Sequence, residues 1–486
     1  MLTITRLDGM IYLSPIEPFL IKYLKYSERT MELRNYRKEV VFKEKLLYRL
    51  DDKGLYTLPG FFDKLVELAH KNHCQVSVID RRSPMPVPNW ELVRTIGLRS
   101  HQVEHVANFI SKGMQSSGLA EATGGWGKTH LQMVTYAAWD SLNTILCIPL
   151  KQVAIQTYKK FQETFKNKHI GRIGAGYNDI STDITISTFA SLENAALEKC
   201  EMLLVDEMQS ASSNSFQNAL SQMRPKRIFG YSATPEGMFN NSGKLLKGIF
   251  GERLIYVDYE QAEDVGAVVP GFVYVLRVPN LSVSSYNSFD KKLEHLVKKY
   301  TPRNQLIGRV AALVPQEWQA IWFVDHLDHL VEVYKNMPVG TRYVHRQSSK
   351  KAVGSFAMTA KQQTETIDAF GRGEFNHLIC TDAMRAGADI PNVRVVVQTA
   401  SGSSEVEVLQ EAYRGSRTLP EASQKKLGVS PKTHFVLIDF LDDHDPQLQA
   451  MAQKRIAYYE KQGWQVSMVD TPDQIDWNPV KKVKTL

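Results

Sequence analysis

Short apolar runs of strand length alternate along most of the chain with stretches in which apolar residues recur at helical spacing. Such alternation is typical of a parallel sheet covered by helices on both faces. Residues 152–165, for example, predict a helix. The predicted strands form two series: residues 144–150, 184–188, 201–207 and 227–233, and then residues 320–326, 341–345, 377–382, 394–400 and 434–440. We therefore predict two successive α/β domains.

Two interruptions of this pattern set the predicted boundaries. Residues 81–91 carry three alternating prolines, which exclude a helix or a central strand and predict an extended linker. A second pause at residues 258–272 separates the two α/β series near residue 265. The predicted organisation is an N-terminal accessory (substrate-recognition) domain of α/β or α+β type at 1–85, α/β domains at 86–265 and 266–446, and a C-terminal helix with a basic tail at 447–486.

Length and composition agree with this division. A chain of 486 residues is too long for one core, and 43% hydrophobic with 23% charged residues is ordinary for a globular protein. No apolar run reaches the ~18 residues needed to span a bilayer. The N-terminus is interrupted by Asp8 and Gly9, unlike a signal peptide. We expect a cytoplasmic protein.

Charge and cysteine content add little chemistry of their own. A net charge of +7 and a pI near 8.9 permit a polyanionic partner without requiring one. The four cysteines lie far apart and lack metal-ligand spacing, which predicts buried reduced thiols rather than a zinc site or disulfides. They are Cys74, Cys147, Cys200 and Cys380.

A Gly-rich loop, "ATGGWGKT" at residues 122–129, joins an apolar run to a predicted helix. Phosphate binding needs converging backbone N–H groups at a helix N-terminus, and glycines allow that backbone. Lys128 is suited to the terminal phosphates and Thr129 to Mg²⁺. Trp126 is compatible with this role because the backbone makes the contacts. The alternative is a Gly-rich turn before a core helix.

A second pattern supports the nucleotide site. The apolar run at 201–207 ends in Asp206 and Glu207, at the strand end where open α/β sheets place ligands. A magnesium nucleotide needs one carboxylate for the metal and another for the attacking water. The alternative is that both residues only terminate a strand.

With these motifs in place, residues 96–440 resemble the superfamily-two (DExx-box) helicases and translocases. The loop at 122–129 fits that family's phosphate-binding motif, in which Ala122 is ordinary, and "VDEMQ" at 205–209 resembles its DExx-box. In layout the chain is most similar to the UvsW-like phage DNA helicases. The resemblance implies two tandem RecA-like domains after the N-terminal domain, with ATP and Mg²⁺ as cofactors.

The resemblance also assigns the remaining site residues. It implies nucleotide contacts by Arg99, Gln102, Thr123, Gly124, Gly125, Trp126, Gly127, Lys128, Thr129, Gln209, Gly387 and Asp389, with Thr129 and Asp206 for the metal. It implies catalytic roles for Lys128, Glu207, Arg414 and Arg417, of which Arg417 is the expected arginine finger. It implies that a motif containing Ser232, Ala233 and Thr234 couples ATP hydrolysis to movement of the strand. The residues implied to contact nucleic acid are Pro149, Gln156, Thr188 and Thr381.

Two positions depart from the family pattern. Tyr413 stands where a glycine usually precedes Arg414, which puts the local backbone geometry in question. The DExx-box ends in Gln209 instead of His or Asp, which disfavours the RNA-specific DEAD group. A glutamine there can still bridge to the motif that contains Ser232.

The resemblance implies an ATP-dependent DNA helicase or translocase that remodels branched or duplex DNA in recombination and fork repair. Recombination or replication proteins are further candidate partners, and no membrane is expected. A phage origin would place the protein in the host cytoplasm. The alternatives are an RNA helicase, the motor of a restriction or defence complex, and a binding protein that has lost catalysis. Residues 21–39, which interleave basic residues with tyrosines, are either a nucleic-acid surface or an amphipathic element whose tyrosines pack inward and whose charges are solvated.

Overall fold

The computed structural model describes residues 1–34, 37–174, 176–195, 197–233, 241–279, 286–345, 354–381 and 390–480. Side chains are described throughout these ranges except at 28–34, 37–40, 241, 242 and 355. The chain divides into two compact units. The first contains Met1–Ala122 and Gly127–Val257, and the second contains Asp258–Leu486 with the loop segment Thr123–Trp126.

The N-terminal part of the first unit is built on a five-stranded sheet of order β5-β6-β2-β1-β7 and a separate two-stranded ribbon, β3-β4. Only β1 and β7 pair in parallel; the other pairs are antiparallel. The elements are β1 Leu2–Leu7, β2 Met10–Ser14, α1 Pro18–Tyr23, β3 Lys25–Arg34, β4 Arg37–Leu46, β5 Tyr48–Leu50, β6 Leu55–Thr57, α2 Phe62–Lys71 and β7 Val76–Asp80.

The rest of the first unit is an eight-stranded sheet of order β11-β10-β12-β9-β13-β14-β8-β15. All its pairs are parallel except the hairpin β10-β11. The elements are α3 Trp90–Arg94, α4 Ser100–Gln115, β8 Gly118–Ala122, α5 Lys128–Ala138, β9 Thr144–Ile148, α6 Lys151–Thr164, β10 Ile170–Gly174, β11 Tyr177–Asp179, β12 Ile184–Thr188, β13 Met202–Asp206, α7 Asn214–Gln222, β14 Arg227–Ser232, α8 Asn241–Phe250 and β15 Arg253–Val257.

The second unit contains a seven-stranded, all-parallel sheet of order β18-β19-β17-β20-β21-β16-β22. The elements are α9 Tyr259–Asp264, β16 Gly271–Arg277, α10 Phe289–Lys292, α11 Thr301–Leu313, β17 Gln319–Phe323, α12 Leu327–Tyr334, β18 Arg342–Val344, α13 Ala360–Gly371, β19 His377–Cys380, β20 Val393–Gln398, α14 Glu405–Ala412, α15 Glu421–Leu427, β21 Phe435–Leu441, α16 Pro446–Lys461 and β22 Gln465–Val469.

The predicted fold class is confirmed, because both main sheets are the helix-connected parallel sheets that the hydrophobic pattern indicates. Central strands such as β9 and β12 are buried along their whole length, which is the physical origin of their unbroken apolar runs. Residues 81–89 of the predicted linker adopt neither helix nor strand, whereas its last two residues, Trp90 and Glu91, begin α3.

Two details differ from the sequence-based expectations. The C-terminal helix is not the last element, because β22 follows it and pairs with β16; its half-exposed residues give no buried apolar run. Cys74 is only half-buried, unlike the other three thiols. Of the two alternatives for residues 21–39, the packing of Tyr23 and Tyr26 against the hydrophobic core of the first unit favours the amphipathic element.

Buried ion pairs reinforce the second unit where β21 ends. Arg455 of α16 forms a two-point ion pair with Asp439, with both N–O distances 2.8 Å. Arg303 of α11 lies 2.8 Å from Asp442 in the same way. All four side chains are at most 1% exposed, so loss of one partner would leave a buried unpaired charge. No helix among the described residues has the length and apolarity needed to cross a membrane.

Candidate functional site

The loop after β8 has the backbone that phosphate binding requires. Gly125 and Gly127 adopt φ values of +93° and +113°, in the left-handed region that glycine accepts without strain. Helix α5 begins at Lys128 directly after the second of these glycines, so its free N–H groups and the positive end of its dipole face the loop. Thr129 is half-buried in the first turn of α5, and Trp126 is 1% exposed.

Gln102 approaches this loop closely. Its amide oxygen accepts a hydrogen bond from the backbone N–H of Arg99 at 3.1 Å, which fixes the side chain at the start of α4. A Cβ atom placed on Gly127 would lie 2.5 Å from Gln102 Nε2, so a side chain at residue 127 would displace the Gln102 amide. Gln102 is buried and Arg99 is exposed. The structure thus places Gln102 beside the loop.

Lys128 and Asp206 form the charged part of the site. In this structure the Lys128 ammonium donates to the carbonyl oxygen of Ala122 at 3.1 Å. Asp206, at the end of β13, accepts a hydrogen bond from Gln132 Nε2 at 2.8 Å. Burial and the neighbouring Glu207 carboxylate raise the Asp206 pKa to about 7, while Lys128 opposes that shift.

Gln132 was missed by the sequence analysis. It is 1% exposed and lies four residues after Lys128 on α5, so both side chains project from one face of the helix. This i,i+4 spacing from the loop lysine is the signal that would have identified it.

Glu207 has an unusual backbone. Its φ of 46° and ψ of 60° lie in the left-handed region, which a side chain with a Cβ atom enters at a cost. Among the described residues other than glycine, only His73 shares a positive φ. Strain of this kind persists only where the surrounding structure imposes it, and it clusters at functional positions.

Gln209 links the DExx-box to the next strand. Its Nε2 donates to Glu207 Oε2 at 2.8 Å, and its Oε1 accepts from Ser232 Oγ at 3.0 Å. Ser232 ends β14, which pairs in parallel with β13. The bridge considered possible for a glutamine at 209 is therefore present. Ala233 is half-buried beside it, while Thr234 lies outside the described residues.

Magnesium fits the residues that the sequence assigns to it. Asp206 and Thr129 offer hard oxygen ligands, and Mg²⁺ is usually held by one or two protein ligands together with substrate phosphates and waters. The described part of the chain contains no group of three or more His, Cys, Asp and Glu side chains arranged for a metal ion.

Two of the residues predicted to contact nucleic acid lie at the carboxyl ends of neighbouring strands in the eight-stranded sheet. Pro149 follows β9, Thr188 ends β12, and these two strands are parallel neighbours. Thr188 Oγ1 is 3.0 Å from Ser191 Oγ, and Gln156 is exposed on α6. In the second unit, Thr381 is buried just after β19, while Gly387 and Asp389 lie outside the described residues.

The segment that carries Arg414 and Arg417 is held firmly within the second unit. The Tyr413 backbone is ordinary right-handed helix, with φ of −63° and ψ of −8°, so the missing glycine leaves the local geometry regular. Its ring stacks on Tyr259 at 6.1 Å between centroids, and its hydroxyl donates to Gln462 Oε1 at 2.8 Å.

Two further contacts fix the direction of this segment. The backbone N–H of Val269 donates to the Ser416 carbonyl at 2.8 Å, and Val268 and Arg417 form an isolated antiparallel bridge. A Cβ atom on Gly415 would lie 2.4 Å from the Phe435 ring, so the close packing requires glycine here. These contacts fix the backbone on both sides of Gly415, and with it the backbones of Arg414 and Arg417.

Comparison with family models now adds to this geometry. Residues 95–237 match the model described as "Type III restriction enzyme, res subunit", and residues 302–418 match the "Helicase conserved C-terminal domain". These two ranges contain the phosphate loop, the DExx-box and both arginines. The chain belongs to the superfamily-two DExx-box helicases. That family consists of enzymes that hydrolyse nucleoside triphosphates, and this member has its tandem RecA-like domains.

Two curated relatives differ greatly in coverage. The ATP-dependent DNA helicase MPH1 of Pyricularia oryzae is 33% identical over 93 residues, which is 19% of this chain and 8% of the relative. The chain thus matches less than a tenth of the length of that relative. Putative helicase 22 of a Sulfolobus islandicus filamentous virus is 21% identical over 82% of this chain and 73% of its own length.

Solved structures can be aligned with this superfamily-two member. S. cerevisiae Dbp5 bound to RNA and ADP BeF3 aligns with a TM-score of 0.52 at 15% identity, over 80% of this chain and 97% of that chain. T4 UvsW aligns over 97% of this chain and 99% of that chain at 15% identity, with a TM-score of 0.40.

Proposed function

We propose that this superfamily-two protein is an ATP-dependent DNA helicase or translocase that remodels branched or duplex DNA, as recombination and replication-fork repair require. The observation that carries the proposal is the hydrogen bonding of two consecutive carboxylates, Asp206 and Glu207, at one sheet edge of the first unit. Gln132 donates to Asp206, and Gln209 joins Glu207 to Ser232.

Nucleotide binding is assigned to the loop and the side chains around it. The backbone N–H groups of residues 123–129 contact the phosphates, and Lys128 exchanges the Ala122 carbonyl for the terminal phosphates. Gln102, beside Gly127, reads the base. Bound Mg²⁺, held by Asp206 and Thr129, would neutralise charge on the transferring phosphoryl group.

Hydrolysis is assigned to Glu207 and the arginines. The Glu207 carboxylate orients the attacking water and accepts its proton. Arg417, with Arg414, supplies positive charge to the γ-phosphate in the transition state. Because Arg417 belongs to the second unit, this assignment requires both units for rapid turnover.

Coupling is assigned to the Gln209 bridge. A change in the hydrogen bonding of Glu207 during turnover alters the Gln209 contact to Ser232, and thereby the end of β14. Pro149, Gln156, Thr188 and Thr381 hold the nucleic-acid backbone. Contacts of that kind are tolerant of sequence and weaken steeply with salt.

DNA is favoured over RNA by two observations. The curated MPH1 relatives are named as DNA helicases. In addition, the DExx-box ends in Gln209, unlike the RNA-specific DEAD group. A second candidate, the motor subunit of a restriction complex, is favoured by the description of the model that matches residues 95–237.

The test is ATP hydrolysis and strand separation by the full chain on forked DNA, linear duplex, single-stranded DNA and RNA. We expect stimulation by DNA, greatest with forks, and a loss of about 10²-fold or more in Lys128→Ala. The surface variant Lys71→Ala is the matched control, since that lysine side chain is 64% exposed. Stimulation by RNA alone would overturn the proposal, as would full hydrolysis by Lys128→Ala.

Purification from the native source distinguishes the restriction motor from the helicase. A restriction motor would co-purify from its native source with a nuclease or methyltransferase subunit, which size-exclusion chromatography with mass spectrometry detects. A free chain that separates forked strands supports the helicase.

A further inference from the structure

An arginine lies between two tyrosine rings at one edge of the first unit, away from the nucleotide loop. The Arg172 guanidinium carbon on β10 is 3.3 Å from the ring centroid of Tyr177 on β11 and 4.8 Å from that of Tyr158 on α6. Arg172 is 7% exposed, whereas Tyr177 is 58% exposed. The guanidinium thus supports a ring whose surface is mostly open to solvent.

The charge of Arg172 is not balanced by a neighbouring carboxylate. Among the described residues, no Asp or Glu oxygen lies within ion-pair distance of it, and its Nε is buried without a hydrogen-bond partner. Its cross-strand neighbour Asp179 lies instead 3.1 Å from His169. A buried cation without a counterion is costly, and the two rings compensate only part of that cost. Within the described residues, Arg172 therefore places a positive charge without an ion-pair partner at this edge of the sheet.

The position of the stack connects it to the predicted nucleic-acid contacts. Strand β10 is the parallel neighbour of β12, so its carboxyl end lies beside Thr188. A Cβ atom on Gly174 would lie 3.0 Å from Thr188 Oγ1 and 2.7 Å from Ser191 Oγ. Tyr177 is the cross-strand partner of Gly174.

The surroundings of Tyr177 leave room for a planar ligand. Gly176, the residue before it, has φ of +88°, and a Cβ atom there would meet nothing within 4 Å. All three residues of β11 are exposed. Tyr158 lies two residues after the exposed Gln156 on α6, which places the other ring of the stack on the helix that carries a predicted backbone contact.

We propose that Tyr177 is a stacking platform for an unpaired base of the bound nucleic-acid strand, and that Arg172 is its positioning residue. This inference rests on the proposed function. The exposed surface of the ring accepts the base, while the guanidinium fixes the ring and adds attraction for the strand. Every base has a π face, so the subsite is tolerant of sequence, in keeping with a motor that tracks along a strand.

The chain provides a matched control for this ring. Tyr256 on β15 is 45% exposed, and the Arg253 guanidinium carbon lies 4.5 Å from its ring centroid. Strand β15 forms the opposite edge of the same sheet. Tyr256→Ala therefore removes a similar tyrosine–arginine pair at a position where no bound nucleic acid is expected.

The experiment compares single-stranded oligothymidylate with a blunt duplex of equal length, by fluorescence anisotropy at fixed salt. We expect Tyr177→Ala to weaken single-strand binding about tenfold, because stacking on aromatic residues contributes that much per base. Tyr177→Phe and Tyr256→Ala should stay within twofold of wild type. Duplex binding should not change, since its bases are not available for stacking.

A second readout tests Arg172 as a positioning residue. Single 2-aminopurine substitutions along the oligonucleotide report stacking at one register through their fluorescence, and Tyr177→Ala should abolish that signal. Arg172→Leu should reduce it, Arg172→Lys should restore most of it, and the melting temperatures of both should match. Equal signals in all three Arg172 proteins would contradict the positioning role.

The outcomes separate this inference from the function on which it rests. If wild type binds no nucleic acid, the proposed function fails. If wild type binds and Tyr177→Ala binds equally well, the stacking subsite alone is wrong. An equal loss of single-strand and duplex binding in Tyr177→Ala would also overturn it, because base stacking cannot produce that result.

Discussion

Glu207 combines a strained backbone with the position assigned to the catalytic base. Its left-handed φ of 46° points its carboxylate toward the Gln209 amide at 2.8 Å. A glycine would accept this backbone more readily, yet it would lack the carboxylate. Glu207 therefore costs the fold some stability while supplying the carboxylate assigned to catalysis. ATP turnover and the free energy of unfolding measure these two effects separately.

For activity, we expect Glu207→Gln to lower ATP turnover about 10²-fold or more, since positioned general bases contribute that much. Its nucleotide affinity should stay close to that of wild type, which steady-state ATPase assays and equilibrium nucleotide binding measure.

For stability, the free energy of unfolding of Glu207→Gly should be about 1 kcal/mol higher than that of Glu207→Ala, because only glycine relieves the left-handed strain. Chemical denaturation checks this, and an equal or lower value for the glycine variant would refute the strain.

At the scale of single elements, strand β19 illustrates a pH dependence built into the second sheet. The indole N–H of Trp322 on β17 donates to His377 Nδ1 at 3.3 Å, which requires a neutral imidazole. Burial lowers the His377 pKa to about 4. This value lies below the pKa of an unfolded histidine, which is about 6.5. The contribution of His377 to the free energy of unfolding is therefore fully present above about pH 6.5 and is lost as the pH falls from there toward 4.

We expect His377 to remove about 2 kcal/mol of unfolding free energy between pH 7 and pH 5, relative to a variant that does not titrate. His377→Asn keeps an acceptor near Nδ1 and should lack that part of the loss. Urea unfolding of both proteins at the two pH values measures the difference. The exposed His70→Asn is the control and should follow wild type; if His377→Asn does so too, the assignment is wrong.

At the scale of the whole molecule, the proposed reaction divides its residues between two units. Lys128, Asp206 and Glu207 belong to the first, while Arg414 and Arg417 belong to the second. The second unit fixes its arginines by packing, since Gly415 lies against Phe435 and Tyr413 stacks on Tyr259. Because Arg417 is assigned to the transition state and not to nucleotide binding, turnover should depend on it much more strongly than nucleotide affinity does.

We expect Arg417→Ala to lower kcat about 10³-fold while nucleotide affinity changes only a few-fold, as for other arginine fingers. Arg417→Lys should recover little, because an ammonium lacks the forked geometry of the guanidinium. Steady-state ATPase assays and equilibrium binding of a labelled ATP analogue distinguish the two effects. A large loss of affinity with kcat preserved would show that Arg417 binds nucleotide without acting in catalysis.

The sequence by itself determined the two parallel-sheet domains, and it predicts most of the proposed nucleotide site. Buried central strands such as β9 leave unbroken apolar runs, and a phosphate loop needs glycines and a lysine at fixed spacing, so both can be recognised locally. Only the tertiary structure decided what depends on contacts between distant segments. These are the Gln132 bond to Asp206, the Gln209 bridge to Ser232, the regular backbone at Tyr413, the added strand β22 and the stack around Arg172. Polar and edge residues obey no periodicity, so their partners are fixed by the fold and not by spacing along the chain.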